Sequence, residues 1–411
     1  MVPLTAERNQ RNVLLLTGVG HFAAHFFELM FPTLAVALAR EARVPIDQVW
    51  TWSFAGYLAF GLGALPASLV AERVSARLLL LVSLFGVGVS ALAASEVTSP
   101  RALTVCLALM GATASIYHPA ASGLIARTLD HRGRALGIIG IFGAGAVALT
   151  PVLTAALCAR FGWQDAFRVI GYAMCALAVG CAFLPVREPP RRVAAAATPE
   201  TPIAWHPLLV LLVAAALAGV SYRGNTLVQP AYVALHVSPV WFGAAVSAAY
   251  TLGLGGQYVG ARLADRHALH RPYLAFHLVS LPALILMTML SGAPLVLCAA
   301  VFVFCSLATQ PLQDGRVAQA VPARRRPAIR GLALLCTFGV GSLAIWLVRW
   351  ADGVGGLGYA ILCLAGVVTL VALAATVLLR MEGASTARTL AHAPAEVRGG
   401  AHPQPGSPLL P

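Results

Sequence analysis

The chain reads as an all-α membrane protein of about twelve transmembrane helices, arranged as two pseudo-symmetric six-helix bundles. Three observations carry that reading. Of the 411 residues, 59% are hydrophobic and only 10% charged, too few polar side chains to coat a soluble domain. Apolar stretches of roughly 20 residues, each long enough to cross a bilayer, fill the chain from residue 12 to residue 380. The second half also repeats the first: His118-Pro119 returns as Gln310-Pro311 and Gly123 as Gly315, each 192 positions on (310 less 118, 315 less 123), as internal duplication requires.

Taken in order, the first six spans fall near 12–39, 49–70, 78–95, 101–127, 135–158 and 163–185. The second six fall near 208–235, 240–263, 271–291, 295–319, 331–350 and 357–380. The first stretch outruns the apolar core of a signal peptide and carries ionisable residues, so it is expected to be a helix of the mature protein. Residues 1–186 therefore form an N-terminal bundle and 208–380 a C-terminal one. Between them, 187–207 is Pro-rich, polar and aperiodic, a cytoplasmic linker. Residues 381–411, rich in Gly, Ala, His and Pro, are expected to be a disordered cytoplasmic tail. All eight cysteines lie in or at the ends of apolar stretches without CxxC spacing, which reads as packing and not as disulfides or zinc ligands.

A net charge of +13 in a soluble protein would point to nucleic acid, but here the arginines sit in the turns between apolar stretches. One alternate set of turns is strongly basic, with Arg8 and Arg11, Arg73 and Arg77, Arg132 and Arg134, Arg191 and Arg192, Arg262 and Arg266, and Arg324 to Arg326. The positive-inside bias then places both termini in the cytoplasm of a bacterial inner membrane, and no nucleic-acid partner is expected.

An acidic-basic pair, Glu72-Arg73, follows the second span, with Arg77 close by, and a copy, Asp265-Arg266, follows the eighth. Such pairs can bridge a helix end to its neighbour and hold one face closed, which makes these five residues the gating candidates. Together with the Gly-rich fifth span (Gly137, Gly140, Gly143, Gly145), they resemble the major facilitator superfamily. Gly20-His21-Phe22 with Pro32, and Tyr117-His118-Pro119 with Arg132-Gly133-Arg134-Ala135, resemble its fosmidomycin-resistance-type efflux family. The resemblance implies a transporter working by alternating access, tilted toward proton-driven efflux.

Ionisable residues inside the bilayer are costly and functional by default. His21, His25 and Glu28 follow i, i+4, i+7 and so share one face of the first span. Removing a carboxyl from water favours its protonated form and an approaching arginine favours the ionised one, which makes Glu28 the leading proton carrier, with His21, His25 and His118 beside it. His-x3-His is also acceptable zinc spacing, but a wet cavity wall gives the same ladder, and no metal or cofactor is expected. Arg223 lies mid-span in the seventh helix, opposite the position of His25 in the repeat, where it either pairs with Glu28 or binds an anionic substrate group. Asn225, Gln229, Gln257, Gln310 and Gln313 are the remaining substrate-binding candidates, and Asp314 with Arg316 reads as a structural or gating pair.

The expected function is a secondary active transporter of one small drug-like or anionic molecule, acting as a monomer in the lipid bilayer with protons as coupling ion. Uptake of an organic anion by symport is the alternative within transport, and a non-transporting receptor or assembly factor the alternative outside it. No HExxH, P-loop or paired catalytic carboxylates point to an enzyme.

Overall fold

The computed structural model describes residues 5–129, 132–190, 203–264, 269–322 and 325–392, and every regular element among them is helical. The first half holds α1 (Ala6–Ala42), α2 (Ile46–Trp52), α3 (Phe54–Ala71), α4 (Ala76–Glu96), α5 (Pro100–Ala114), α6 (Tyr117–Thr128), α7 (Arg132–Phe161) and α8 (Trp163–Ala182). The second holds α9 (Trp205–His236), α10 (Phe242–Ala264), α11 (His270–Met287), α12 (Gly292–Ala320), α13 (Arg326–Leu334) and α14 (Ala344–His392). A π-helical turn, Leu335–Gly339, and a 3-10 turn, Val340–Leu343, join α13 to α14.

Among the described residues, 9 helical runs are long and apolar enough to cross a membrane. One of them, Ala328–Met381, has 54 residues, about twice what a bilayer needs. It is broken at Gly355-Gly356, where Gly356 takes φ 77°, a left-handed value that glycine adopts without strain. The more polar α10 and α11 pack along α12, which brings the total to about twelve crossings. Packing is close where side chains are absent: a Cβ on Gly256 or Gly260 of α10 would run into the Phe304 and Ala308 carbonyls of α12.

Irregularities follow the prolines. The fourth span is two helices, because Pro119 has no N–H to offer the Ser115 carbonyl, and the chain breaks at Ser115-Ile116 just ahead of His118. Pro32 similarly frees the Glu28 carbonyl, which accepts instead from the Tyr57 hydroxyl at 3.1 Å.

At the end of the molecule bearing the N-terminus, the first bundle is tied by its own polar groups. Asn9 exchanges two hydrogen bonds with the Arg187 backbone (3.0 and 2.8 Å), and Asn12 donates to the Pro185 carbonyl at 2.8 Å. The Glu188 carboxylate caps α4, accepting from the Ser75 hydroxyl (2.6 Å) and the N–H groups of Arg77 (2.9 Å) and Ala76 (3.1 Å), and it meets Arg127 at 3.4 Å. Burial pushes this carboxyl up, but those hydrogen bonds and Arg127 outweigh it and hold it below the ordinary glutamate range. Glu188 thus ties the start of the linker to α4 and α6 within the first half. Glu72 and Arg73 are exposed and form no ion pair with a described residue, whereas Arg77 donates to the Ala182 carbonyl at 2.6 Å. Asp265 and Arg266 lie outside the described residues.

The halves touch at both ends and in the middle. Toward the N-terminal end, Gly331 of α13 sits against Ser68 of α3; at mid-depth Gly61 lies against the Gly339 backbone. At the opposite end Arg349 pairs with Asp47 at 3.3 Å. Along the other seam the Val152 N–H of α7 donates to the Ser247 hydroxyl of α10 at 2.9 Å. Helix α14 continues to His392, past the expected start of disorder at 381, through a run of good helix formers from Arg380 to Ala384 interrupted only by Gly383. Residues 393–411, and 191–202 of the linker, are outside the description.

Candidate functional site

Helix α1 carries the site at its centre. His21, His25 and Glu28 share its inner face, as their spacing requires, and Glu28 is buried with only 5% of its side chain exposed. Its carboxylate is divided between two partners: Oε1 accepts from Arg223 Nη2 at 2.8 Å and Oε2 meets His25 Nδ1 at 2.7 Å. Arg223, on α9 of the other half, is 4% exposed. Its guanidinium lies over the Tyr57 ring, 3.8 Å from the centroid, and reaches the Thr226 hydroxyl at 3.3 Å. An ion pair this deep needs further partners to offset desolvation; both carboxylate oxygens are engaged here, and the guanidinium adds the Thr226 hydroxyl and the Tyr57 ring to its bond with Glu28.

Below the pair lies a second group. His118, set by the α5–α6 break, faces His21 and His25, both with ring centroids 5.5 Å away. His21 stacks on Tyr117 at 5.2 Å and holds the Ile139 carbonyl of α7 through Nδ1 at 2.7 Å. Gly143 of α7 leaves the room that this ring fills. Phe60 and Phe338 close the other side of His118, Phe338 entering from the π-helical turn of the second half. Beside Glu28 and Arg223 lies a cavity of about 50 Å³, walled by Ala24, Phe27, Tyr57, Phe60 and Met110. That is room for a few waters and not for a drug-sized molecule.

The structure sorts the other sequence candidates. Gln313 donates to the Thr337 hydroxyl at 3.4 Å, and Gln257 sits at the α7–α10 seam beside Gly140. Gln310 is half-buried on α12. Asn225 and Gln229 are fully buried, but at 100° per residue they lie far around α9 from Arg223, so they do not join its cluster. Asp314 pairs with Arg330 at 3.4 Å, while Arg316 lies over the Tyr273 ring. Tyr57 and Thr226, which position the charge pair, carried no distinguishing sequence signal, since an aromatic or a threonine in an apolar run is ordinarily packing.

Two six-helix halves meeting at a buried, cross-bundle ion pair beside a small cavity define a polytopic membrane transporter. The family comparison agrees: residues 17–345 match the Major Facilitator Superfamily, and the chain belongs to it. A bacterial homolog of the human lysosomal transporter Spinster, in an inward-facing and occupied conformation, superposes with TM-score 0.74 at 14% identity, covering 90% of this chain and 97% of that one. The nucleoside transporter NupG superposes with TM-score 0.68 at 16% identity, covering 89% and 99%. A search of curated proteins found no match. At these identities the structural likeness speaks to the fold alone.

Proposed function

We propose that the chain is a proton-coupled exporter of a small drug-like or anionic molecule, of the fosmidomycin-resistance type, in a bacterial inner membrane with both termini cytoplasmic. The observation that carries this reading is the Glu28 carboxylate shared between His25 of its own half and Arg223 of the other. Protonating Glu28 removes the charge that holds Arg223, so the halves can part and the guanidinium becomes free to take an anionic group of the substrate. Deprotonation restores the pair and expels the anion. Proton and substrate thereby compete for one electrostatic site, which is what couples their movements.

The test uses purified protein in liposomes under an imposed pH gradient, with a panel of small organic anions that includes a phosphonate. Glu28→Gln is expected to abolish pH-driven transport while leaving binding to Arg223 intact. Transport that remains undiminished and pH-driven in Glu28→Gln removes Glu28 from the mechanism.

A further inference from the structure

We propose that His21, His25 and His118 form a binding site for one divalent transition-metal ion of the Zn²⁺ class, with Glu28 as the group that orients His25. The spacing on α1 supplies two imidazoles, and the break before α6 brings in the third. One nitrogen of each of the three lies within 4.8 Å of the others. A tetrahedral zinc–nitrogen site, with bonds of about 2.0–2.1 Å, needs nitrogens about 3.4 Å apart, so small side-chain rotations close it.

The hydrogen bonds around the rings say which nitrogens are free. A carbonyl can only accept, so His21 Nδ1 carries its proton toward Ile139 and Nε2 keeps its lone pair. Glu28, ionised beside Arg223, is likewise an acceptor, which puts the proton of His25 on Nδ1 and the lone pair on Nε2. His118 Nε2 is buried without a hydrogen-bond partner. Backbone carbonyl and carboxylate acceptors behind two of three imidazoles are the arrangement that fixes histidine ligands in metal sites. Imidazole donors with no thiolate select zinc, copper, nickel or cobalt over magnesium or calcium. Three protein ligands leave a fourth position for water or an anion, which offsets part of the added charge in this buried setting.

All three ligands belong to the first half, so binding does not depend on how the halves are arranged. It stands apart from proton coupling: equilibrium binding is the readout, and the failure of either proposal leaves the other in place. The experiment titrates the purified full-length chain, carrying an affinity tag without histidines, with Zn²⁺ by calorimetry and with Co²⁺ by visible absorption. The expected result is one equivalent with the intense ligand-field bands of four-coordinate cobalt. His21→Gln and His118→Gln are each expected to weaken the site by at least about 100-fold, and Glu28→Gln by about 10–100-fold, as for other groups that hold a ligand in place. Thermal unfolding of each apo variant checks that it is folded. If the wild-type chain gives no four-coordinate cobalt spectrum, or if His21→Gln and His118→Gln both bind as the wild type does, the proposal is overturned.

Discussion

Glu28 spends its two carboxylate oxygens on partners from different halves, so its loss is felt on both sides. A buried ion pair deprived of one member leaves the other charged and unmatched, a cost of about 3–5 kcal/mol, whereas removing both charges together costs far less. Arg223→Gln is therefore expected to lower the unfolding temperature of the detergent-solubilised protein markedly, and Glu28→Gln with Arg223→Gln to recover most of that loss. A double variant less stable than Arg223→Gln alone would contradict the pairing. The sequence sets Arg223 opposite His25 in the repeat, one helical turn from Glu28, and offers pairing with Glu28 as one of two outcomes. It gives no hint of Tyr57, whose hydroxyl occupies the carbonyl released by Pro32 and whose ring lies under the guanidinium.

Helices are the scale at which conformational change is restrained, and two junctions stand out. The Glu188 carboxylate reinforces the Ser75 N-cap of α4 by accepting from the Ala76 and Arg77 N–H groups, while binding Arg127 of α6. Because its folded-state carboxyl lies below the ordinary value, its stabilisation is complete above the unfolded pKa of about 4.3 and is lost as pH falls through the lower folded value. Glu188→Gln is expected to cost about 1 kcal/mol at neutral pH, and to flatten the acid limb of a stability-versus-pH profile. An unchanged acid limb would show that the clamp contributes nothing.

The second junction is Gly61 of α3 against the π-helical turn, where any Cβ would strike the Gly339 backbone and push the halves apart. Spin labels at Val70→Cys and Ala328→Cys are expected to report a longer distance when Gly61→Val is added. An unaltered distance distribution would show that this contact does not hold α3 to α13. Neither junction follows from pattern alone: Glu188 reads as part of a linker, and Gly61 as one glycine among 38.

The whole molecule is closed around its charge pair, with the halves touching near Ser68 and Gly331 at one end and through Asp47 and Arg349 at the other. A carrier that rocks must separate these ends in turn. A cross-link through Asp47→Cys with Arg349→Cys, or through Ser68→Cys with Gly331→Cys, is accordingly expected to stop transport in the liposome assay. Reduction should restore it. Full transport with either bridge formed would rule out rocking about this interface.

What the sequence determined by itself is the solvent and the plan. Apolar run length fixes a membrane protein, and the offset of 192 fixes two similar halves, because hydrophobicity and duplication are written along the chain. Helical spacing also puts His21, His25 and Glu28 on one face, since side-chain direction within a helix is local geometry. Which polar groups meet was decided only by the tertiary structure. Arg223 reaches Glu28 while Asn225 and Gln229, nearby on α9, do not; His118 joins the α1 histidines because Pro119 breaks the fourth span; and Glu188, which reads as linker, ties α4 to α6. Each of these pairings depends on how one helix is rotated and broken against another, and no single stretch of sequence encodes that.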